Sequence, residues 1–297
     1  MTNERPHIGV VGVPGGWSSE SLVNAVKELT GYRTLIDMDS CVADLGRGRV
    51  THGDIDLSRL DGIIIKKVGA TYGRDMLDRL ELLRYLAERG VPVFSKPASI
   101  LRLLNRLSCT ITLARGGIPI PPTTITENLS HAAAAVRTYG AAVLKPLYST
   151  KAKGMELVAS TDAALLDRLS AFQKAGNPVL YVQKRLEIPD RDLGVVFLGG
   201  AHVGTYARVK KPGSWNTTTR DGGRYEAHEA SDAVIALAHR AQALFDLDLT
   251  SVDVVETDAG PMVFEVSAFG GFSGSQEGLK LDLARRYASY VVERVRT

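Results

Sequence analysis

Apolar residues in the first third of the chain occur in short runs separated by longer segments with helical periodicity. The short runs are HIGVVGV (7–13), TLIDMD (34–39), GIIIKKVG (62–69) and VPVFS (91–95). Their apolar content predicts buried strands. Between them, SESLVNAVKEL and RDMLDRLELLRYLAERG repeat apolar positions every three or four residues, which predicts helices. Strands that alternate with helices in this way predict an open parallel sheet over residues 1–95.

A second unit over residues 96–184 and a third over residues 185–297 have mixed patterns. In the second unit, helical segments surround three candidate strands, AAVLKPL (141–147), MELVA (155–159) and VLYVQKRL (179–186). In the third, the strands GVVFLGG and HVGTYARV precede a helix at 231–245, a hairpin and a C-terminal helix. We expect AAVLKPL and MELVA to pair. The whole pattern predicts an α/β protein with an N-terminal α/β domain and two further subdomains.

The hairpin SVDVVETDAGPMVFEVS in the third unit carries one acid in each apolar strand, Asp253 and Glu265. Two registers compete. A two-residue loop pairs Asp253 with Phe264 and turns Glu265 to the other face. A three-residue loop, Asp-Ala-Gly, sets Asp253 opposite Glu265. The second register is favoured because it puts Gly260 at the third loop position, which adopts the left-handed conformation.

In the favoured register, Asp253 and Glu265 form a candidate cation site. Opposed cross-strand residues share a face, with Cβ atoms roughly 4.5–5.5 Å apart, and Ser267 lies two residues further along on that face. Two carboxylates this close repel each other unless a cation lies between them, and oxygen ligands suit Mg²⁺. The alternative is an amphipathic edge hairpin whose acids are solvated.

Lys145 lies inside the apolar run AAVLKPL, where a buried charge needs an anionic partner such as a phosphate. The alternative is an outward-facing lysine on an edge strand. The turn that follows, YSTKAKG, offers hydroxyl groups, lysines and free N–H groups that can cradle phosphate oxygens. A solvated basic turn would have much the same sequence. The residues concerned are Ser149, Thr150, Lys151, Lys153 and Gly154.

Polar residues interrupt the apolar pattern again further along the chain. VLYVQKRL breaks at Gln183 and Lys184, where a strand can offer backbone groups to a flat base, and Arg208 is a second charge in an apolar strand. The loop KKPGSWNTTTRDGG is rich in hydrogen-bonding groups, including Asn216 and Arg220. Loops of this length are often functional, although a flexible surface loop is the alternative.

Composition and missing motifs narrow the function classes. The chain of 297 residues has a net charge of +3, spread along its length, which gives little support for nucleic-acid binding. The N-terminus lacks the apolar core of a signal peptide, and no run approaches the ~20 apolar residues that span a bilayer. A cytoplasmic location without membrane contact is therefore expected. The fingerprints of dinucleotide-binding, P-loop, protein-kinase and α/β-hydrolase sites are absent.

Several of these stretches, taken in order, resemble the ATP-grasp superfamily and especially its RimK-like branch of carboxylate–amine ligases. The resemblance covers roughly residues 90–295 and includes LNRLSCTITLARGGIPIPPT, VLKPL, YSTKAKG, VQKRL, RDLGVVFLGG, the segment from Arg208 to Gly223, and VDVV…FEVS. It implies a Rossmann-like pre-ATP-grasp domain (1–95) followed by two α+β subdomains (96–184 and 185–297) that clamp ATP.

The resemblance also implies roles for individual residues. Asp253 and Glu265, with the Ser267 hydroxyl, would hold Mg²⁺ or Mn²⁺ against the ATP phosphates. The catalytic residues implied are Arg208, Asn216 and Arg220. The nucleotide contacts implied are Arg106, Lys145, Ser149, Thr150, Lys151, Lys153, Gly154, Gln183, Lys184, Leu186 and Asp192.

Several features depart from the pattern of the family that the chain resembles. Gly194 stands where an arginine is usual, Ser267 where an asparagine is usual, and Asn105-Arg106 where an aspartate–lysine pair is usual, and YSTKAKG has one glycine where relatives often have two or three. More narrowly, PGGWSSE, YSTKAKG, SWNTTTRDGGRYE and VFEVSAFGGF look like the ATP-grasp proteins of the so-called GAK gene system, which are encoded with a relative of HPr kinase.

The activity implied by the resemblance is Mg-ATP-dependent ligation of a carboxylate to an amine through an acyl phosphate. The implied substrate is a small molecule or a peptide, with a co-encoded kinase-like protein as partner and a homo-oligomer as the assembly. A small-molecule kinase and a nucleotide-binding regulatory protein without turnover are the alternatives, because both would share the ATP contacts.

Overall fold

The computed structural model describes residues 5–73 and 75–296, which form three main sheets, one small sheet and nine α-helices. None of the helices within these ranges is long and apolar enough to cross a membrane. The strands are β1 (Ile8–Val11), β2 (Thr34–Ile36), β3 (Cys41–Asp44), β4 (Arg49–His52), β5 (Ile55–Asp56), β6 (Gly62–Ile65), β7 (Val93–Phe94), β8 (Thr123–Thr126), β9 (Ala141–Leu144), β10 (Glu156–Ala159), β11 (Leu180–Lys184), β12 (Arg191–Leu198), β13 (Ala201–Val209), β14 (Arg224–Ala227), β15 (Leu249–Thr257) and β16 (Gly260–Ser267). The helices are α1 (Trp17–Thr30), α2 (Asp75–Glu88), α3 (Pro97–Leu104), α4 (Arg106–Arg115), α5 (Leu129–Tyr139), α6 (Leu165–Lys174), α7 (Asp232–Ala243), α8 (Phe272–Leu279) and α9 (Leu283–Val295).

The N-terminal sheet is parallel, as the alternation of strands and helices predicts, with strand order β2-β1-β6-β7. Its strands are almost continuously apolar because helices cover both faces. On one face Ile64 packs in a core with Leu22 of α1 and Tyr287 of the C-terminal helix α9. On the other face Ile63 joins the core that contains Leu83 of α2. The end of the chain therefore packs against its first sheet.

The central sheet, in the order β10-β9-β11-β8, is antiparallel, and the predicted pairing of β9 with β10 is confirmed. Val136 of α5 and Leu169 of α6 join a separate apolar core with this sheet. β9 ends at Leu144, so Lys145 directly follows the strand and does not lie within it as predicted. The Lys145 N–H still donates to the Tyr181 carbonyl oxygen at 3.1 Å, which fixes its backbone against β11.

The C-terminal sheet is antiparallel and follows the order β14-β13-β12-β15-β16. Leu237 and Ala241 of α7 pack in the core on one face, while α8 packs against β13 and β14 on the other. Across the sheet, Gly194 on β12 lies between Tyr206 on β13 and Asp253 on β15. This register places all three positions on the α8 side of the sheet.

The hairpin between β15 and β16 has the predicted pairing of acids but a different loop. Thr257 pairs with Gly260, so the connection is a two-residue turn and the predicted three-residue loop is wrong. A bulge at Phe264 then shifts the register by one residue, and Asp253 lies opposite Glu265 as predicted. The bulge restores the pairing that the shorter loop would otherwise remove.

The sequence patterns do not predict three elements: the small antiparallel sheet β3-β4-β5, the strand β14 and the helix α8. The α8 sequence FSGSQEGL contains two glycines and two serines, which disfavour a helix in isolation. Its Phe272 side chain is buried in the core shared with Tyr206, and this packing outweighs the low helix propensity.

Candidate functional site

A cleft of about 550 Å³ opens where the three main sheets meet. Its walls are the ends of β9 and β11 with the turn after β9, one face of the C-terminal sheet, and the residues that follow β1 and β6. Side chains at every second strand position share a face, and this alternation brings Asp192, Arg208 and Asp253 to the cleft. The cleft is the candidate active site because it collects charged groups from all three sheets.

Asp253 and Glu265 line the cleft from adjacent strands. The bulge turns two consecutive side chains, Phe264 and Glu265, towards the cleft, where strict alternation would admit only one. Burial raises the pKa of the Asp253 carboxyl, the negative charges of Glu265 and Asp192 add to the shift, and Arg208 opposes it. Acids in this environment favour a cation beside them.

Arg208 joins two strands through a pair of acids. Its Nε donates to Asp192 Oδ1 at 3.1 Å and its Nη2 donates to Asp192 Oδ2, while the same Nη2 lies 2.9 Å from Asp253 Oδ2. Asp192 is 4 % exposed and pairs with Arg208 across β12 and β13. Burial alone would lower the pKa of Arg208, but the two carboxylates raise it well above its usual range. Arg208 is thus a fixed cation in the cleft wall.

A second ion pair connects α4 to β16. Arg106, which is 8 % exposed, donates from Nη1 to Glu265 Oε2 at 2.8 Å and from Nε to the Pro146 carbonyl oxygen at 3.2 Å. Asn105 caps α4 by accepting hydrogen bonds from two N–H groups of its first turn, which fixes the start of the helix beside the cleft. Arg106 thereby links one acid of the pair to the turn after β9.

Lys145 is buried in the cleft wall and is only 9 % exposed, which excludes the outward-facing alternative. Its Nζ donates to Gln183 Oε1 at 2.5 Å and lies 5.3 Å from the Phe264 ring centroid. Burial lowers the pKa of Lys145 to about 7, and the positive charge of Arg106 contributes to the same shift. An anion bound beside Lys145 would favour its charged form.

Most other predicted nucleotide and catalytic residues also line the cleft. They are Thr150, Lys151, Lys184, Leu186, Asn216 and Ser267. Ser149 lies at its edge, with Oγ 3.5 Å from Arg106 Nη2. Lys153, Gly154 and Arg220 are exposed and are not among the residues that line the cleft. The roles expected of these three stay predictions.

The turn after β9 has a left-handed backbone at two residues that are not glycine. Lys151 has φ of 54° and Ala152 has φ of 55°, and the Lys153 N–H donates to the Thr150 carbonyl oxygen at 3.1 Å. These features define a type I′ turn. Lys151 and Ala152 at its tip both line the cleft, so the turn forms one wall of the site.

Lys66, Tyr206 and Phe264 line the cleft but are not predicted from the sequence. Lys66 could have been found from the sequence, because Lys66 and Lys67 follow an apolar parallel strand at its carboxyl end. Ligands of open parallel sheets bind at that edge. Phe264 had no such signal, since its direction depends on the bulge. Tyr206 has the sequence pattern of an ordinary core aromatic residue.

The acid pair fits the predicted Mg²⁺ ion. Among the described residues, no group of three or more His, Cys, Asp or Glu side chains could hold a metal by itself. Mg²⁺ usually binds through one or two carboxylates and completes its shell with phosphates and water. Asp253 and Glu265, with Ser267 at the next position on the same face, supply such a partial set of oxygen ligands.

Comparison with known protein families gives a match over residues 104–291 to the RimK-like ATP-grasp domain. The tetrahydromethanopterin:alpha-L-glutamate ligase of Methanosarcina acetivorans is 26 % identical over 262 residues, covering 82 % of this chain and 80 % of that protein. A probable alpha-L-glutamate ligase of Serratia proteamaculans is 26 % identical over 287 residues, covering 94 % of this chain and 93 % of that protein.

Solved structures share the architecture. The RimK domain protein ATP-grasp of Sphaerobacter thermophilus has a TM-score of 0.73 at 21 % identity, covering 96 % of this chain and 98 % of the other. The ATP-grasp ligase PsnB, solved with a phosphomimetic variant of its minimal precursor, Mg and ADP, has a TM-score of 0.74 at 18 % identity, covering 99 % and 100 %. The likeness establishes the ATP-grasp fold.

Proposed function

The chain belongs to the RimK-like ATP-grasp family, and we propose that it is a Mg-ATP-dependent ligase that joins a carboxylate to an amine. The observation that carries the proposal is the opposition of Asp253 and Glu265 in a cleft that also contains Lys145 and Arg106. The two acids suit a metal ion and the two basic side chains suit phosphates, so the site complements the charges of MgATP. The similarity to alpha-L-glutamate ligases supports the ligase class.

In this proposal the nucleotide lies between the central sheet and β16. Lys145 and Arg106 contact its α- and β-phosphates, and the strand end at Gln183 and Lys184 contacts the base. Binding of the phosphates favours the charged form of Lys145, whose burial otherwise favours the neutral form. The turn of residues 149–154 closes over the nucleotide and excludes water from the reactive phosphate.

Asp253, Glu265 and the Ser267 hydroxyl are the proposed metal ligands. Mg²⁺ bound to them would neutralise charge on the β- and γ-phosphates. Carboxylate and water ligands also suit Mn²⁺, so both ions are expected to support activity. Arg106 pairs with Glu265 and keeps one carboxylate oriented towards the cleft.

The proposed chemistry has two steps. A substrate carboxylate oxygen attacks the γ-phosphorus, and the bond from that phosphorus to the β-phosphate oxygen breaks, giving an acyl phosphate and ADP. An amine nitrogen then attacks the acyl carbon, the carbon–oxygen bond to phosphate breaks, and the departing phosphate takes up the proton that the amine loses as the amide forms. Arg208, held in place by Asp192, stabilises negative charge on the transferred phosphoryl group. Asn216 lies nearer the acceptor in this proposal.

Phosphorus NMR with MgATP and a small-metabolite extract, either whole or dialysed, tests the proposal. ADP and free phosphate that form only with the whole extract support ligation of a small molecule. The same products formed only with a peptide fraction support a peptide substrate, and PsnB was solved with a precursor peptide.

Two other outcomes contradict the ligase. Loss of ATP with a new phosphoester resonance and no free phosphate identifies a kinase. An unchanged ATP spectrum with both fractions identifies a binding protein without turnover. The variant Glu265→Gln should slow the reaction of either enzyme by a factor of about 10² or more, whereas a protein without turnover has no reaction to lose.

A further inference from the structure

Lys66 is a buried lysine in the cleft without an acidic partner. It follows β6 and is 3 % exposed. Its ammonium donates to the Phe269 carbonyl oxygen and lies 4.2 Å from the Phe272 ring centroid. No carboxylate of the described residues lies within 4 Å of it. An ammonium group taken out of water in this way is costly unless a charged partner is supplied.

Tyr206, on β13, also contacts the start of α8. Its ring is 3 % exposed and packs against three glycines. A Cβ atom at Gly194, Gly271 or Gly274 would lie 2.3, 2.2 or 2.3 Å from the nearest Tyr206 atom. The hydroxyl lines the cleft, and within the described structure it has no hydrogen-bond partner. It is therefore free to donate to a ligand.

The first turn of α8 lies between these two side chains. The N-cap is Gly271, which has no side chain to cap the helix. Ser273 and Gly274 of the first turn line the cleft. N–H groups in the first turn of a helix have no intrahelical acceptor, and the helix dipole favours an anion there. Lys67, which is half-buried and also lines the cleft, adds a second positive charge beside Lys66.

We propose that Lys66, Tyr206 and the first turn of α8 form a subsite for a carboxylate group of the substrate. This inference rests on the proposed ligase function and specifies its substrate class, which is an acidic molecule with one carboxylate beyond the reacting group. The carboxylate supplies the counter-ion of Lys66 and accepts hydrogen bonds from the Tyr206 hydroxyl and the N–H groups of α8. These contacts orient the substrate before its other group reacts.

The close packing around Tyr206 also accounts for the glycine at position 194. Gly194 lies directly opposite Tyr206, and the tyrosine ring occupies the space of any side chain at 194. In this part of the cleft β13 therefore supplies the tyrosine, and β12 contributes no side chain at position 194. The basic groups of this region are Lys66 and Lys67, which follow β6.

Two-dimensional ¹H–¹⁵N NMR with MgADP present tests the subsite, with succinate as the probe and succinamide as its neutral counterpart. We expect succinate in the millimolar range, and not succinamide, to shift the amide signals of Ser273 and Gly274. Lys66→Met should weaken succinate binding about tenfold or more, because a charge-assisted hydrogen bond is lost. Tyr206→Phe, which keeps the ring among the glycines, should weaken it about threefold.

Lys96→Met is the matched control, because Lys96 is an exposed lysine paired with Asp246. It should leave the titration unchanged. Equal succinate affinity in the wild type, Lys66→Met and Tyr206→Phe would overturn the subsite, as would the absence of any succinate shift. Shifts caused by inorganic phosphate but not by succinate would assign the region to a phosphoryl group and overturn the carboxylate. Binding is measured without turnover, so these outcomes are independent of the phosphorus NMR test of ligase activity.

Discussion

Gly194 and Tyr206 lie directly opposite each other on β12 and β13, and the tyrosine ring fills the space that a side chain at position 194 would need. Gly271 and Gly274 confine the same ring from the side of α8. The ring therefore cannot move away without displacing the start of that helix. One aromatic side chain connects the C-terminal sheet, α8 and the wall of the active-site cleft.

Gly194→Ala should destabilise the protein, because the new methyl group would lie 2.3 Å from the Tyr206 ring. Overpacking of this kind typically costs about 1–3 kcal/mol of unfolding free energy. Urea denaturation measures the change. Gly46→Ala is the control, since the nearest atom there is 3.5 Å away and the change should stay within about 0.5 kcal/mol. If Gly194→Ala costs as much in a Tyr206→Ala background, the ring is not the obstacle.

Glu265→Gln should remove the dependence of nucleotide binding on Mg²⁺, because one of the two carboxylates proposed to bind the metal becomes a neutral amide of the same shape. The wild type should bind ATP more tightly with Mg²⁺ than with EDTA, whereas the variant should bind equally in both. Turnover should fall by a factor of about 10² or more. Glu256→Gln on the same hairpin, opposite Pro261, should behave like the wild type. Retained Mg²⁺ dependence in Glu265→Gln would contradict the assigned metal ligands.

Lys145 should take up a proton when ATP binds at alkaline pH. Burial lowers its pKa to about 7, so at pH 8 the free protein carries mostly neutral Lys145, whereas bound phosphates favour the charged form. Calorimetry at pH 8 in two buffers of different ionisation enthalpy should show uptake of nearly one proton, and at pH 6 almost none. ATP affinity should accordingly fall as pH rises above 7.

Two conditions make the proton measurement specific to Lys145. EDTA is included, so that metal binding to the Asp253–Glu265 pair contributes no protons. Lys145→Arg keeps a positive charge throughout this pH range and should abolish the uptake. Equal uptake in the wild type and Lys145→Arg would show that another group titrates.

The periodic parts of the fold are predictable from the sequence because their buried faces impose a pattern. The parallel N-terminal sheet and the pairing of β9 with β10 are examples. The pairing of Asp253 with Glu265 is also predictable, but the reason inferred from the sequence is wrong. Gly260 begins β16 with φ of +105° and does not end a three-residue loop. The bulge at Phe264 has no signature in the sequence because it results from packing.

The cleft residues that were missed depend on contacts between distant segments. The Lys66 ammonium donates to the carbonyl oxygen of Phe269, which lies 203 residues further along the sequence. No local sequence pattern therefore indicates that this ammonium is buried. Tyr206 borders the cleft only because Gly194, Gly271 and Gly274 come together around its ring. A charged residue that interrupts an apolar strand, such as Arg208, is recognisable from the sequence. An aromatic residue whose role depends on which glycines surround it is not.

Arg208→Met should destabilise the fold far more than loss of a neighbouring surface ion pair. Asp192 is 4 % exposed and its carboxylate is bound by Arg208 through two hydrogen bonds. Removal of the arginine leaves a buried charge without a partner, which typically costs about 3–5 kcal/mol of unfolding free energy. Lys210→Met breaks the Lys210–Asp190 pair at the end of the same two strands, where Asp190 is 86 % exposed, and should cost less than about 1 kcal/mol.

The double variant Arg208→Met, Asp192→Asn distinguishes two causes of instability, the unpaired buried carboxylate of Asp192 and the lost packing of the Arg208 side chain. If the unpaired carboxylate causes the instability, the double variant should recover most of the lost unfolding free energy, measured by urea denaturation. Under the proposed function, turnover should stay low, because the cation assigned to the transferred phosphoryl group is still missing. Recovery of activity together with stability would mean that Arg208 acts through the fold alone. Stability without activity would assign it to the chemistry of the cleft.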